Sequence, residues 1–176
     1  MEMEKNPKKV LLIIAPSGFQ DKEYQEPRAI LENAGYNIVV ASKGVKSAQS
    51  TLGTAVKVDK ELNEAKSDDF EAIVFVGGPG SSLYFNDQTA LALAKEAYQK
   101  GKIVGAICIA PSILANAGIL KDKKATVFSS ETENLKAKGA IYTGESVTVE
   151  GKIVTANGPS AAEEFGQKIF KMLRGT

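Results

Sequence analysis

The fold is decided by the stretch Gly105-Ala106-Ile107-Cys108-Ile109-Ala110-Pro111, which joins an apolar run (residues 103–107) to a helix-like run (residues 109–117). A reactive group at a sharp strand-to-helix turn projects its side chain clear of the sheet, and the turn presents free backbone N–H groups. Cys108, the only cysteine, is therefore interpreted as reactive rather than as a small buried apolar side chain. We expect the helix N-terminus to depress its pKa below about 8.5.

Composition excludes several classes of protein. The 176 residues include no histidine, so chemistry at Cys108 needs another base and no histidine is available as a metal ligand. The net charge is +1, and only Arg28 and Arg174 are arginines, which argues against a nucleic-acid partner. The apolar run at residues 10–15 is too short to span a membrane. One cysteine gives no disulfide framework, so we expect a cytoplasmic protein without membrane or nucleic-acid partners.

Strand-like and helix-like segments alternate along the chain, which predicts an α/β fold with a mostly parallel central sheet and helices on both faces. A polar loop is expected at residues 42–53. Strands are predicted at 10–15, 36–41, 55–58, 72–76, 103–107 and 124–128, with a hairpin over 147–155. Helices are predicted at 21–34, 87–100, 109–117 and 160–173.

Three segments fall at carboxyl ends of the predicted parallel strands, where such sheets bind ligands. They are residues 17–23, residues 77–81 and Cys108. Gly77 and Gly78 permit close approach of the backbone to a ligand. Their N–H groups, with the N–H of Ile109, form a candidate oxyanion hole; the alternative is a plain Gly-Pro turn.

At these residues the chain resembles the ThiJ/PfpI (DJ-1) family, which is related to class I glutamine amidotransferases. The similarity is carried by Ala106-Ile107-Cys108, by Gly77-Gly78, and by Glu23 four residues before Pro27. The later segments of the chain that resemble the family are Gly118-Ile119-Leu120, Gly151-Lys152-Ile153-Val154-Thr155 and Gly158-Pro159. The resemblance implies a flavodoxin-like three-layer sandwich and a homodimer or higher homo-oligomer. The chain length suits a single domain over residues 1–176, and we expect no cofactor and no metal.

The spacing to Pro27 also singles out Glu23 as the partner of Cys108, where charge alone would leave Asp21 and Glu26 equally placed. A carboxyl beside a thiolate should have a raised pKa, because burial and like charge both disfavour its ionised form. Many family members carry a histidine directly after the cysteine or on the following strand. Here those positions are Ile109 and, nearest to the second, Phe128 or Ser129.

Three functions are compatible with a reactive cysteine. In the first, Cys108 adds to a small reactive carbonyl and Glu23 moves the proton, in a glyoxalase- or deglycase-like reaction that protects against stress. In the second, the protein is a redox sensor whose Cys108 is oxidised and stabilised by Glu23. An intracellular cysteine peptidase is the third and weakest, because such enzymes need a base near the thiol and the chain has no histidine.

Overall fold

The computed structural model describes residues 8–175. The strands are β1 (Lys9–Ile13), β2 (Ser17–Phe19), β3 (Asn37–Ser42), β4 (Ser47–Ser50), β5 (Ala55–Lys57), β6 (Lys60–Glu61), β7 (Ala72–Phe75), β8 (Ile103–Ile107), β9 (Lys124–Ala125), β10 (Ile141–Tyr142), β11 (Val147–Glu150) and β12 (Ile153–Ala156). The α-helices are α1 (Asp21–Asn33), α2 (Gln88–Gln99), α3 (Pro111–Asn116), α4 (Thr132–Ala137) and α5 (Ala162–Arg174).

The central sheet has seven strands in the order β11-β12-β8-β7-β1-β3-β6. All neighbouring pairs are parallel except β11 with β12, which form the predicted hairpin. Every residue of β7 and β8 is buried, as expected for strands covered on both faces. The mostly parallel sheet is therefore confirmed, with β8, β7, β1 and β3 at its centre.

Alternation of side chains along β1 separates the two layers of the core. Leu11 and Ile13 pack in one apolar cluster with residues of α2 and α3. Val10 and Leu12 pack in the other with residues of α1 and α5. Because successive side chains of a strand point to opposite faces, the sheet lies between two helical layers. The expected three-layer sandwich is confirmed.

The expectation of a loop over residues 42–53 was wrong. This segment contains β4, which pairs parallel with β2 and antiparallel with β5 to make a second, three-stranded sheet. Its pattern is polar but alternating, with Ala48 and Ser50 buried and their neighbours exposed. This strand could not be recognised from composition, because its buried residues, Ala48 and Ser50, are small.

Two other predicted elements are shorter than expected. The strand predicted at 124–128 ends at Ala125. The helix predicted at 109–117 begins at Pro111, because Cys108 takes a left-handed backbone conformation, with φ at 66°, and opens a turn instead. Pro111 occupies the first turn of α3, where its missing N–H costs no hydrogen bond.

Helix α2 begins with a capping interaction that gives a stability prediction. The Asp87 carboxylate accepts the N–H of Ala90 at 3.0 Å and also pairs with Lys43. Asp87→Ala should lower the free energy of unfolding by about 1–2 kcal/mol, since the first helical N–H groups lose their acceptor. Urea denaturation measures this. The exposed Asp69→Ala should change the free energy by less than about 0.5 kcal/mol; equal losses in both variants would contradict the assignment.

No helix within residues 8–175 has both the length and the apolar character needed to cross a bilayer.

Candidate functional site

Cys108 follows β8 directly and is held from both sides by the backbone. Its N–H donates to the carbonyl of Ala156 at 2.9 Å, and its carbonyl accepts the N–H of Phe128 at 2.8 Å. The residue is 9% exposed. A left-handed conformation at a non-glycine residue is uncommon and concentrates at functional sites. The predicted turn at Cys108 is therefore present, and neighbouring segments fix its shape.

Glu23 and Cys108 meet at Gly77. A β-carbon placed on Gly77 would lie 2.3 Å from Glu23 Oε1 and 2.5 Å from Cys108 Cβ. Glu23 Oε1 and Cys108 Cβ thus both lie within 2.5 Å of this one position, so the carboxyl and the cysteine are neighbours. Glu23 is 0% exposed, although it lies in the first turn of α1. The structure thus brings together the three segments that the sequence placed at the strand ends.

The backbone N–H groups near the site act on two different side chains, those of Cys108 and Glu23. The backbone N–H groups of Gly78 and Ile109 favour the thiolate and act to lower the pKa of Cys108. The N–H of Gly77 acts on the Glu23 carboxyl instead. Of the three predicted oxyanion donors, Gly78 and Ile109 therefore act on the Cys108 thiol and Gly77 acts on the Glu23 carboxyl, and the oxyanion hole stays a prediction.

Burial raises the pKa of the Glu23 carboxyl to about 8, against smaller lowering effects of the Cys108 thiol and the Gly77 N–H. Within residues 8–175, neither carboxyl oxygen meets a hydrogen-bond partner at full geometry. An ionised carboxylate without strong partners is costly in such a place. Glu23 is therefore mostly protonated at neutral pH, and the expected rise in its pKa is confirmed.

The expectation of a depressed thiol pKa was wrong. Burial, and then the negative charge of Glu23, raise the pKa of Cys108 to about 12. Cys108 lies in the loop before the six-residue helix α3, and it is therefore not part of the first turn of that helix. When Glu23 is protonated its repulsion disappears, while the N–H groups of Gly78 and Ile109 still favour thiolate. The two groups therefore titrate as a pair: protonation of Glu23 removes its repulsion, while burial continues to raise the pKa of the Cys108 thiol.

Sequence reasoning missed Gln20, which positions Glu23. Its side-chain oxygen accepts the N–H of Glu23 at 2.8 Å, and its own N–H donates to the Gly77 carbonyl at 3.0 Å. Gln20 thus caps α1 and ties that helix to the end of β7. The available signal was a polar residue directly before the predicted helix, but glutamine is not among the preferred caps.

The two positions nearest to the strand histidine of many family members are exposed. Phe128 is 43% exposed, and Ser129 follows it at the surface. Neither side chain can exchange a proton near neutral pH. In the described part of the chain, no group of three or more cysteine, aspartate or glutamate side chains is placed to hold a metal ion.

Comparisons with known proteins agree with this geometry. A family model described as the DJ-1/PfpI family matches residues 8–172. An uncharacterised protein of Methanocaldococcus jannaschii is 43% identical over 94% of this chain and 82% of its own length. A protein of Thermococcus kodakarensis named as a deglycase is 30% identical over 93% of this chain and 99% of its own.

Among solved structures, a ThiJ/PfpI domain protein from Brachyspira murdochii superposes with a TM-score of 0.94 at 34% identity, covering 98% of this chain and 99% of that one. The likeness therefore extends over nearly the whole described fold, including the strand ends that bring Glu23 to Cys108. This chain belongs to the DJ-1/PfpI family.

Proposed function

We propose that this protein is an enzyme that converts small reactive carbonyls, with Cys108 as nucleophile and Glu23 as the group that moves protons. One observation carries the proposal: the only thiol lies against a fully buried carboxyl whose pKa is raised to about 8. A carboxyl that titrates near neutral pH is matched to general acid–base catalysis. The relative named as a deglycase supports the same class of reaction.

The reaction of a 2-oxoaldehyde would proceed in balanced proton transfers. The Cys108 thiolate adds to the aldehyde carbon, and the resulting oxyanion takes the proton from Glu23 to give a hemithioacetal. The Glu23 carboxylate then carries the proton of the former aldehyde carbon to the neighbouring carbon, and the hydroxyl proton passes from the first oxygen to the oxygen of that neighbouring carbon, which leaves a 2-hydroxy thioester. Water hydrolyses the thioester, releases the 2-hydroxy acid and restores the thiol. The net change is addition of one water, so no redox cofactor is consumed.

The backbone supplies electrostatic stabilisation in this scheme. The N–H groups of Gly78 and Ile109, which act to lower the pKa of the sulfur, are the donors that we assign to the oxyanion on the adjacent carbon. Preorganised donors of this kind contribute about 3–4 kcal/mol each when removed from other enzymes. Since neither Ile109 nor Phe128 can act as a base, all proton transfer falls to Glu23.

The test is production of lactate from methylglyoxal. The unmodified protein should form lactate, and Cys108→Ala should lower the rate by at least about a thousandfold, since loss of a nucleophile leaves little covalent catalysis. Ser160→Ala, at an exposed position after β12, is the control and should retain full activity. Absence of lactate with the unmodified protein, or undiminished turnover in Cys108→Ala, would refute the proposal.

The second candidate is a non-enzymatic redox sensor in which peroxide oxidises Cys108 to the sulfinate. The buried, protonated Glu23 favours this candidate too, because its O–H can donate to a sulfinate oxygen. Peroxide titration followed by intact-mass measurement tests it. A gain of two oxygen atoms that Cys108→Ala lacks would support sensing, whether or not lactate is formed.

We also propose a cytoplasmic location and a homodimer or higher homo-oligomer, as the family membership suggests. Symmetric self-association is the general expectation for such proteins. Light scattering coupled to size-exclusion chromatography measures the mass directly. A monomer at micromolar concentration would overturn the proposed self-association.

A further inference from the structure

The loop that follows β9 is hydrogen-bonded to the Cys108 turn along its backbone. The N–H of Phe128 donates to the carbonyl of Cys108 at 2.8 Å. A 3₁₀ turn (Ser129–Glu131) comes next, and the N–H of Glu131 donates back to the carbonyl of Phe128 at 2.9 Å. Glu131 is therefore held at a fixed place relative to Cys108.

The side chain of Glu131 makes a second connection to the chain that follows Cys108. Its Oε1 accepts the hydroxyl of Ser112 at 2.6 Å. Ser112 lies in the first turn of α3 and is 0% exposed, and its own N–H donates to the carbonyl of Ile109 at 3.1 Å. Chain and hydrogen bonds thus form a closed ring: from Cys108 through the start of α3 to Ser112, across to Glu131, and back along the loop after β9.

Two asparagines complete the hydrogen bonding of the Ser112 hydroxyl and extend it to the segment after β7. The amide nitrogen of Asn134, on α4, donates to Ser112 Oγ at 3.1 Å and to Asn116 Oδ1 at 3.1 Å. The amide nitrogen of Asn116 donates to the carbonyl of Phe85 at 2.8 Å, directly after the 3₁₀ segment Pro79–Tyr84. A connected polar network of this kind fixes one arrangement of the segments that it joins, here those after β7, β8 and β9.

The Cys108 turn needs such support because its backbone is strained. A left-handed conformation, here with φ at 66°, is unfavourable for a residue that has a side chain, and it persists only where surrounding contacts enforce it. If the ring opened, the turn would relax and Cys108 would move away from Glu23, its present neighbour. The contact between the cysteine and the carboxyl would then be lost without a change to either residue.

We propose that Glu131 and Ser112 are positioning residues, whose hydrogen bond holds the Cys108 turn in the conformation that places the thiol beside Glu23. The inference deepens the proposed function, since it rests on Cys108 and Glu23 as the reacting pair. Glu131 acts through its acceptor oxygen rather than through its charge, because what it holds is the hydroxyl of Ser112.

The pH dependence of Cys108 alkylation tests this role without turnover; the thiolate displaces iodide from iodoacetamide. In the unmodified protein, burial and the charge of Glu23 raise the pKa of the thiol to about 12, so the rate should still be rising at pH 10. In Glu131→Ala the thiol leaves its buried place, and the midpoint should fall towards the ordinary value of about 8.5. For each unit of this fall the rate at pH 8 should rise about threefold, since thiolate increases about tenfold while its nucleophilicity decreases about threefold.

Further variants separate this hydrogen bond from a general loss of stability. Ser112→Ala opens the same ring from its other side and should shift the alkylation profile as Glu131→Ala does. In both variants, lactate formation from methylglyoxal should fall by at least about tenfold, because misplaced reacting groups lose their alignment. Glu131→Gln keeps an acceptor oxygen and should match the unmodified protein in both assays. The control is Ser67→Ala, which removes an equally buried serine hydroxyl before β7, at the opposite end of the parallel strands, and should leave both assays unchanged.

Urea denaturation establishes that each variant is folded at the pH of the assays. Lower stability in Glu131→Ala with an unchanged alkylation profile and unchanged turnover would overturn the inference, because the hydrogen bond would then only stabilise the fold. Equal defects in Glu131→Ala and Glu131→Gln would also overturn it, since the charge would then be the active feature. If the unmodified protein converts no methylglyoxal while the alkylation profile shifts as expected, the proposed function fails and the positioning of Cys108 stands.

Discussion

Glu23→Gln is expected to stabilise the protein at neutral and alkaline pH. The pKa of Glu23 is about 8 in the folded protein against an ordinary value of 4.5. Between these values the folded state holds a proton that the unfolded state has released, so stability falls as pH rises. At about 1.4 kcal/mol per pH unit, the loss approaches an upper limit of about 5 kcal/mol at pH 8. Glutamine carries no such proton and avoids the decline.

Urea denaturation between pH 5 and pH 9 measures this effect. The unmodified protein should lose stability across the window, whereas the curve for Glu23→Gln should be flatter and should lie above it at pH 8. Glu64→Gln changes an exposed glutamate and should leave the pH dependence intact. Parallel curves for the unmodified protein and Glu23→Gln would show that Glu23 ionises freely in the folded state.

The same substitution separates the reactivity of the thiol from turnover. The charge of Glu23 raises the pKa of Cys108, so Glu23→Gln should lower that pKa and speed alkylation at pH 8. Turnover of methylglyoxal should nevertheless be abolished, because an amide cannot exchange the proton. Glu23→Asp should disturb alkylation more, since the shorter side chain withdraws from the sulfur. A Gln variant with full turnover would remove Glu23 from the mechanism.

Gly77→Ala is expected to damage both the fold and the site. Its β-carbon would lie 2.5 Å from the carbonyl oxygen of Ile107 and 2.5 Å from Cys108 Cβ. Neither group is the free end of a flexible side chain, so the ends of β7 and β8 must separate. We expect a loss of about 1–3 kcal/mol in the free energy of unfolding, the usual range for overpacking. Displacement of the reacting groups by about 1 Å should lower turnover by about a hundredfold.

Denaturation and lactate assays on the same preparation test this prediction. Gly175→Ala is the matched control, because its added carbon would meet nothing closer than 3.6 Å. It should leave both measurements unchanged. If Gly77→Ala had normal stability and normal turnover, the ends of β7 and β8 could separate without affecting the fold or the site.

The sequence predicted the architecture because its central strands carry unambiguous signals. Apart from the exposed Lys9 at the start of β1, the strands β1, β7 and β8 contain only apolar residues, as burial on both faces requires. Residue types alone also indicated Cys108, since a lone thiol between a buried strand and a proline-started helix has few other interpretations. Glu23 needed the family resemblance, because nothing in its local sequence distinguishes it from Asp21 or Glu26.

What the sequence could not supply depends on contacts between distant segments. β4 forms because β2 and β5 pair with it, and its alternating polar pattern gives no apolar signal. The direction of the thiol pKa was predicted wrongly because it was argued from the helix alone. The thiol pKa is raised by burial and by the charge of Glu23. Both effects arise only when α1 is folded against β7 and β8.

The presence of a single cysteine constrains what oxidation can do to this protein. A sulfenic acid is usually rescued by a resolving thiol in the same chain, which condenses with it to a disulfide. No second thiol exists here, and Cys108 is only 9% exposed, so a thiol on another protein has little access. A small thiol such as glutathione is then the remaining reductant. Without it, a second equivalent of peroxide oxidises the sulfenic acid to the sulfinate, and the molecule is lost to chemistry at this sulfur.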